Sequence, residues 1–429
     1  MTSTAFLPET TIRKPRLNPD VLRSVRSDRR AAPEVVLDLS RLLSRVLHPT
    51  PTGVDRVELA YARELLHLIP DRLRFAAVHP IGIYGRLPKR AVRTFLDATE
   101  ARWAQRGNAD DAAMLRTALY HHLALLPRPA QRDSARARIY IQASPHHLHR
   151  PALVARILRK ERARFICLVH DLIPIEHPEY ARPSGAAMHR KRIDTIIALA
   201  SGIAANSHAT LAALAPYLAA AGRTPLTRVA HLGTETTETP HDARGEEHPY
   251  FLCIGTIEPR KNHLLLLNIW RRMADERGAA NIPRLILIGR RGWENEQVID
   301  MLERCPALAG CVEEHAGLPD QAIMRLMRGA RALLLPSFAE GFGMPVSEAL
   351  SAGLPVLCSD LDALREAGDE IPEYLDPLDG VAWMEAILAY AQPGSPRRDA
   401  QVKRLSGWSA PSWRGHLETL LDMADELVA

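Results

Sequence analysis

Nowhere in the 429 residues is there an apolar run of the roughly 18 that a membrane-spanning helix needs. The opening MTSTAFLPETTIRKPR also lacks the continuous apolar stretch of a secretion signal, so the chain is expected to stay in the cytoplasm. Cysteine is scarce and odd in number: Cys167, Cys253, Cys305, Cys311 and Cys358, with no CxxC pair among them. That excludes a disulfide framework and a thiolate zinc site and leaves the five as small buried apolar residues. Lysine is also scarce, 6 of the 55 basic residues. Most positive charge is therefore the planar, permanently ionised kind, and each lysine is worth locating. The excess of basic over acidic residues is only +5 and dispersed, which argues against a nucleic-acid partner. No internal repeat or low-complexity tract is present.

With 46% apolar and 24% charged residues the chain is globular, and its length divides into about two or three domains. Short β-branched or aliphatic runs alternate with amphipathic stretches, the pattern of βα units around a parallel sheet. The runs in the first half are 34–40, 74–80, 138–143, 164–169, 202–206 and 227–232. Those in the second half are 250–255, 284–289, 311–317, 331–336 and 354–359. Between the two sets, GTETTETPHDARGEEHP (233–249) is polar and without apolar period, and is expected to be the linker. Two parallel-sheet domains then leave a cleft, with ligands expected outside the carboxyl ends of the strands.

Residues 1–33 read as a basic, flexible arm. Residues 85–137 hold no convincing strand but two helical stretches, FLDATEARWAQR and DDAAMLRTALYHHLALL, an insertion serving either packing or an acceptor. From Trp408 to Val428 the apolar period fits a closing helix.

Four loops could carry chemistry. In GTIEPRKNHLLLLNIW (255–270) a strand ends at Gly255 and a helix starts with Asn262 as its cap. Arg260 and Lys261 stand at that positive helix end, where two cations are unfavourable unless an anion such as a diphosphate is bound. In LLLPSFAEGFGMPVSEALSAG (333–353) a Gly-rich loop leads to a helix near Pro345, with Glu348 in its first turn; Glu340 and Glu348, eight apart, need separate roles. In FICLVHDLIPIEHPEY (165–180) a strand delivers His170 and Asp171 at its carboxyl end. In HPTPTGVDRVELAYARELL (48–66) Gly53 would let a ligand approach the backbone. Each also has a plain structural reading, as a basic surface pair, a dipole-favoured acid, a structural histidine or a simple turn.

Taken together, GTIEPRKN, EGFGMPVSEALSAGLPV, VHDLIPIEHPEY and TGVDR resemble the retaining nucleotide-sugar glycosyltransferases of family 4, over about residues 34 to 425. The resemblance implies an α/β fold of the GT-B type: two Rossmann-like parallel-sheet domains facing across a cleft, with the helical insertion in the first. It divides the chain into the arm 1–33, an acceptor-side domain 34–235, a donor-binding domain 236–407 and a closing helix 408–429. It implies that Lys261 and Arg260 hold the donor diphosphate, that Glu348 bonds the ribose, and that Glu340 with Gly341, Phe342, Gly343 and Met344 positions the sugar. His170 would contact the sugar near the reacting carbon, with Asp171 as an acceptor-side candidate. Gly53 would approach the phosphate, Gly255 and Thr256 would border it, and the main chain around Leu318 would read the base. One departure stands out: many members carry Arg directly after the glycine that ends the strand, and here that residue is Thr256.

The resemblance implies departure of a diphosphate from an anomeric carbon, stabilised by cations and helix N–H groups, on a front-face path without an enzyme nucleophile. No cofactor and no metal are expected. Asp360 and Asp362 form a D-x-D that ligates metal in the other glycosyltransferase fold, but their late position favours a turn or cap. A glycosidase reading of Glu340 and Glu348 leaves the phosphate-type loop unexplained. The expected substrate is a nucleotide sugar, GDP-mannose favoured, with a glycan or lipid-linked acceptor of bacterial surface polysaccharide. A UDP-sugar transferase, a nucleotide-sugar epimerase and an inactive sugar-binding partner remain as alternatives.

A last expectation concerns membranes. In PALVARILRKERARF (151–165), Leu153, Val154, Ile157 and Leu158 can share one helix side, with Arg156, Arg159, Lys160, Arg162 and Arg164 around the rest. With Arg190, Lys191, Arg192 and seven basic residues in the arm, this surface could meet anionic lipid at about 1 kcal/mol per basic residue. An ordinary sheet-covering helix with a solvated basic side is the alternative.

Overall fold

In the computed structural model, residues 32–48, 50–104, 111–129, 136–234 and 248–429 are described. All of the expected arm but its last two residues, and the centre of the expected linker, lie outside them.

The first domain is a seven-stranded sheet of β1 (Glu34–Asp38), β2 (Leu73–Val78), β3 (Tyr84–Leu87), β4 (Arg138–Gln142), β5 (Ala163–Val169), β6 (Gly202–Ala205) and β7 (Leu226–Val229). Its order is β3-β2-β1-β4-β5-β6-β7, parallel except for β3. The second domain orders β8 (Tyr250–Ile254), β9 (Arg284–Ile288), β10 (Val312–His315), β11 (Leu333–Leu335), β12 (Val356–Ser359) and β13 (Glu373–Leu375) as β10-β9-β8-β11-β12-β13, all parallel. In each sheet the chain reverses its direction of growth beside the first strand, at β1/β4 and β8/β11. That is where parallel sheets open a crevice. The central strands are apolar on both faces because helices cover both, and β1, β11 and β12 are buried throughout.

All eleven expected strands are present. β3 corrects the expectation that 85–137 lacks a strand. Tyr-Gly-Arg-Leu is too short and mixed to show a period, and it forms because β2 offers a free edge. Its Arg86 pairs with buried Glu161 (2.5 Å) and with Glu34 (3.1 Å). β13 is a three-residue edge strand, equally invisible in the sequence pattern. The two expected insertion helices run Lys89–Ala104 and Asp111–Ala124. The first buries Val92, Phe95 and Leu96 in the core, while its end carries Arg102 and Trp103 to the cleft. Four of the cysteines are buried and Cys305 is half-buried; all five are free thiols.

The closing helix begins at Trp413, not Trp408, with Ser412 as its cap. It belongs to the first domain: Leu417, Leu420, Met423 and Ala424 are buried in that core. His416 Nδ1 faces the carbonyls of Ala230 (2.9 Å) and His231 (3.0 Å), which can only accept. Nδ1 therefore carries the proton, and Nε2 accepts from the Tyr61 hydroxyl at 2.5 Å. Burial pushes the pKa of His416 down to about 4, so the ring is neutral. The basic helix runs Pro151–Glu161, and its Leu153, Val154 and Ile157 are buried against the sheet. The apolar side is thus used by the fold, as in the sheet-covering alternative, and the basic side faces outward.

Candidate functional site

The loop after β8 passes through a tight turn at Pro259–Lys261 into the helix His263–Arg277. Asn262 enters that helix with a φ of 54°, and its Nδ2 donates to the Pro377 carbonyl at 3.0 Å. The left-handed backbone replaces the extended geometry that a side-chain cap requires, so the expected cap is not made. Lys261 is buried, and its Nζ donates to Glu340 Oε1 at 2.6 Å. Arg260 Nη1 donates to Glu340 Oε2 at 2.7 Å, and its Nη2 to Glu258 Oε1 at 2.7 Å. The two cations thus have two carboxylate partners within the chain, so their position alone does not demand a bound anion, as the sequence suggested. Burial pushes the Glu340 carboxyl up, but Arg260 and Lys261 outweigh it and hold its pKa at about 2.

The Gly-rich loop then turns into the helix Met344–Ser351. Glu348 is the fifth residue of this helix, one position later than expected and just past the first turn, because the helix starts at Met344 instead of Pro345. Gly341 is pressed against the first domain, and a Cβ there would stand 2.2 Å from the His170 carbonyl oxygen. His170 donates from Nε2 to the Ala143 carbonyl at 2.6 Å, which leaves Nδ1 as the acceptor of the neutral ring. Burial holds its pKa below the ordinary imidazole value. Asp171 Oδ1 accepts from Ile173 N–H at 3.1 Å. Gly53 opens the helix Gly53–Leu68 behind a Thr52/Asp55 capping box. A Cβ at Gly53 would lie 3.9 Å from Met344 Sδ. Two helix N-termini, one from each domain, thus come together at one cavity.

All fourteen residues singled out in the sequence, His170, Asp171, Gly53, Gly255, Thr256, Arg260, Lys261, Leu318, Glu340, Gly341, Phe342, Gly343, Met344 and Glu348, line one cavity of about 410 Å³ between the domains. Asp360 is elsewhere, forked to Arg365 at 2.7 and 3.0 Å, and Asp362 opens the helix Asp362–Gly368. Sequence reasoning missed Arg56, Trp103, Asn206 and Arg290 on the same cavity wall. Asn206 and Arg290 follow strand ends, which was the usable signal.

Further contacts hold the domains together. Arg56 makes a two-pronged pair with Asp320 (2.5 and 3.0 Å). Gly341 O accepts from Ser207 Oγ (2.7 Å) and Thr210 Oγ1 (3.1 Å). Glu366 accepts from the N–H groups of His208 (2.6 Å) and Ala209 (2.8 Å) at the start of the helix His208–Ala220, and pairs with His231 Nε2 at 3.0 Å. These hydrogen bonds and the negative charge at a helix N-terminus hold the Glu366 pKa below the ordinary value against burial. Trp293 Nε1 donates to the Tyr180 carbonyl at 3.1 Å, and the Tyr180 ring stacks on Phe338.

Residues 248–392 match the family described as glycosyl transferases group 1. This part of the chain is a glycosyl transferase group 1 domain. The O-antigen chain mannosyltransferase B of Escherichia coli is 37% identical over 164 residues, 38% of this chain and 42% of that protein. The serotype-specific mannosyltransferase WbdA of Escherichia coli is 28% identical over 279 residues, 58% of this chain and 33% of that protein. The chain thus spans less than half the length of either. WaaG, a glycosyltransferase involved in lipopolysaccharide biosynthesis, superposes with a TM-score of 0.58 at 14% identity, covering 91% of this chain and 99% of that one. The group 1 domain and the domain before it together have the GT-B fold. Among the described residues no helix is long and apolar enough to cross a membrane.

Proposed function

We propose that this protein is a retaining glycosyltransferase that moves mannose from GDP-mannose to a glycan or lipid-linked glycan acceptor in surface-polysaccharide synthesis. The observation that carries this reading is the pair of helix N-termini, at Gly53 and Met344, that line one cavity with Lys261 and Arg260. Positive helix ends contributed by both domains suit a diphosphate that gains charge as it leaves an anomeric carbon. The similarity of the group 1 domain to O-antigen mannosyltransferases supports mannose as the sugar.

In this reading Glu348 holds the ribose, and Glu340 with the backbone of Gly341 to Met344 holds the sugar. His170, neutral with Nδ1 as an acceptor, receives a sugar hydroxyl from the opposite domain. The leaving phosphate oxygen takes the acceptor's proton, so no covalent nucleophile and no metal are used.

The test is transfer of labelled mannose, alongside thermal-shift measurements with GDP, UDP and ADP sugars, with and without EDTA. Stabilisation by GDP-mannose and EDTA-resistant transfer are expected. Stabilisation by UDP sugars alone would move the donor assignment, EDTA inhibition reversed by Mg²⁺ would reverse the metal assignment, and conversion of the sugar nucleotide without acceptor would make the protein an epimerase.

We further propose peripheral attachment at the cytoplasmic face of the membrane through charge alone. Arg156, Arg159, Arg162 and Arg164 are exposed beside the helix Gly185–Leu199, which exposes Arg190 and Lys191 over the same core. Anionic liposomes should sediment the protein at low salt and release it as salt screens the charges. Equal recovery with neutral liposomes would remove this surface from the proposal.

A further inference from the structure

We infer that Arg290, at the end of the neighbouring strand, supplies the donor-diphosphate contact that position 256 lacks. The inference rests on the transferase reading and names a residue which that reading left out.

Charge comes first. Arg260 and Lys261 face Glu258 and Glu340 in one buried cluster, two cations against two carboxylates. A diphosphate entering beside them meets no net positive charge from this cluster. Among the described residues, five Arg or Lys side chains line the cavity: Arg56, Arg102, Arg260, Lys261 and Arg290. Arg56 is held by Asp320 and Arg102 by the Val46 carbonyl. Arg290 is exposed, and among the described residues its side chain has neither a hydrogen bond nor an ion pair. Among the described residues it is the cavity cation whose charge is still available.

Register comes second. β8 and β9 are parallel neighbours with Ile254 beside Ile288, and the pairing resumes with Ile257 beside Arg291. Thr256 and Arg290 are thus opposite each other in the two loops, and Ile257 N–H donates to the Arg290 carbonyl at 3.0 Å. Gly289 makes this possible: a Cβ there would stand 1.8 Å from the Gly255 carbonyl oxygen, so only glycine lets the loops run in contact. Side chains alternate across extended backbone. Arg291 turns away to Glu314 (2.8 Å) and Glu303 (2.5 Å), while Arg290 lines the cavity. A guanidinium rooted at position 290 therefore starts from the strand next to the position where many family members carry theirs, and its fork suits two phosphate oxygens.

The experiment measures binding of GDP and GMP by calorimetry to the wild type, Arg290→Ala and Thr256→Arg/Arg290→Ala. Arg290→Ala should weaken GDP about tenfold and GMP less than about twofold, because one charge-assisted contact to the second phosphate is lost. Its ligand-free melting temperature should match the wild type's, as the side chain is exposed and unpaired. The double variant should regain most of the GDP affinity. Unchanged GDP binding in Arg290→Ala, equal loss of GDP and GMP, or a double variant as weak as the single one would overturn the inference. Should the wild type bind none of GDP, UDP and ADP, the transferase reading itself falls, an outcome distinct from these.

Discussion

Glu340 sets the charge balance of the cavity. It is the shared partner of Arg260 and Lys261, 80 and 79 positions away, so no local pattern could reveal the pairing. The eight-residue spacing to Glu348 indicated only that the two acids have different roles. Glu340→Gln should lower ligand-free stability by about 3 kcal/mol, since two buried cations lose an anion. Added GDP should then raise the variant's melting temperature by more than the wild type's, even as transfer is lost, because the diphosphate meets uncompensated cations. Scanning fluorimetry with and without GDP checks this, and a smaller shift in the variant would separate the cations from the diphosphate. The pH dependence has a definite sign. The folded carboxyl titrates at about 2, below the 4.5 of an ordinary glutamate, so its stabilisation is complete above about pH 4.5 and fades as pH falls toward 2. Glu340→Gln should flatten that acid limb.

The closing helix Trp413–Val428 shows how an element's period and its location are separate questions. Its apolar spacing was plain, but nothing local said that it would return some 180 residues along the chain to the first domain. His416 anchors it, between Tyr61 and two carbonyls of the segment after β7. His416→Ala should cost about 3 kcal/mol, from the lost packing and the buried hydroxyl left unpaired. Because the folded ring titrates at about 4 against 6.5 when free, its contribution is complete above about pH 6.5 and is lost as pH falls to about 4. Urea titrations at several pH values should show a shallower slope in the variant over that range, and an identical slope would mean that the ring is not the anchor. Strands were legible wherever both faces are covered, because such strands must be apolar along their length. Of the edge strands, β7 and β10 lie in longer apolar-bearing runs and were legible, whereas β3 and β13, four and three residues long, escaped because pairing on one side lets almost any residues serve.

At the scale of the whole molecule, function depends on how closely two domains approach. Gly341 marks the contact, since any Cβ there collides with the His170 carbonyl. Gly341→Ala should therefore hold the domains apart: small-angle scattering should report a larger radius of gyration, and turnover should fall about 100-fold as the two halves of the site lose register. Full activity would show that the contact is dispensable. Glu366→Ala, which removes the cap on the first domain's helix without adding bulk, should open the molecule in the same sense with a smaller loss. The resemblance of its loops to a known family singled out the fourteen residues of the cleft, while the sequence by itself determined two βα domains and the strands of their cores. This follows because periodicity and loops at strand ends are local consequences of burial and backbone geometry. Only the tertiary structure decided that Arg260 and Lys261 meet carboxylates of their own chain, that Thr256 has Arg290 beside it, and that helix N-termini of both domains share one cavity. Those facts are distances between residues far apart in the chain, and they exist only once sheet register and the contact between domains are fixed.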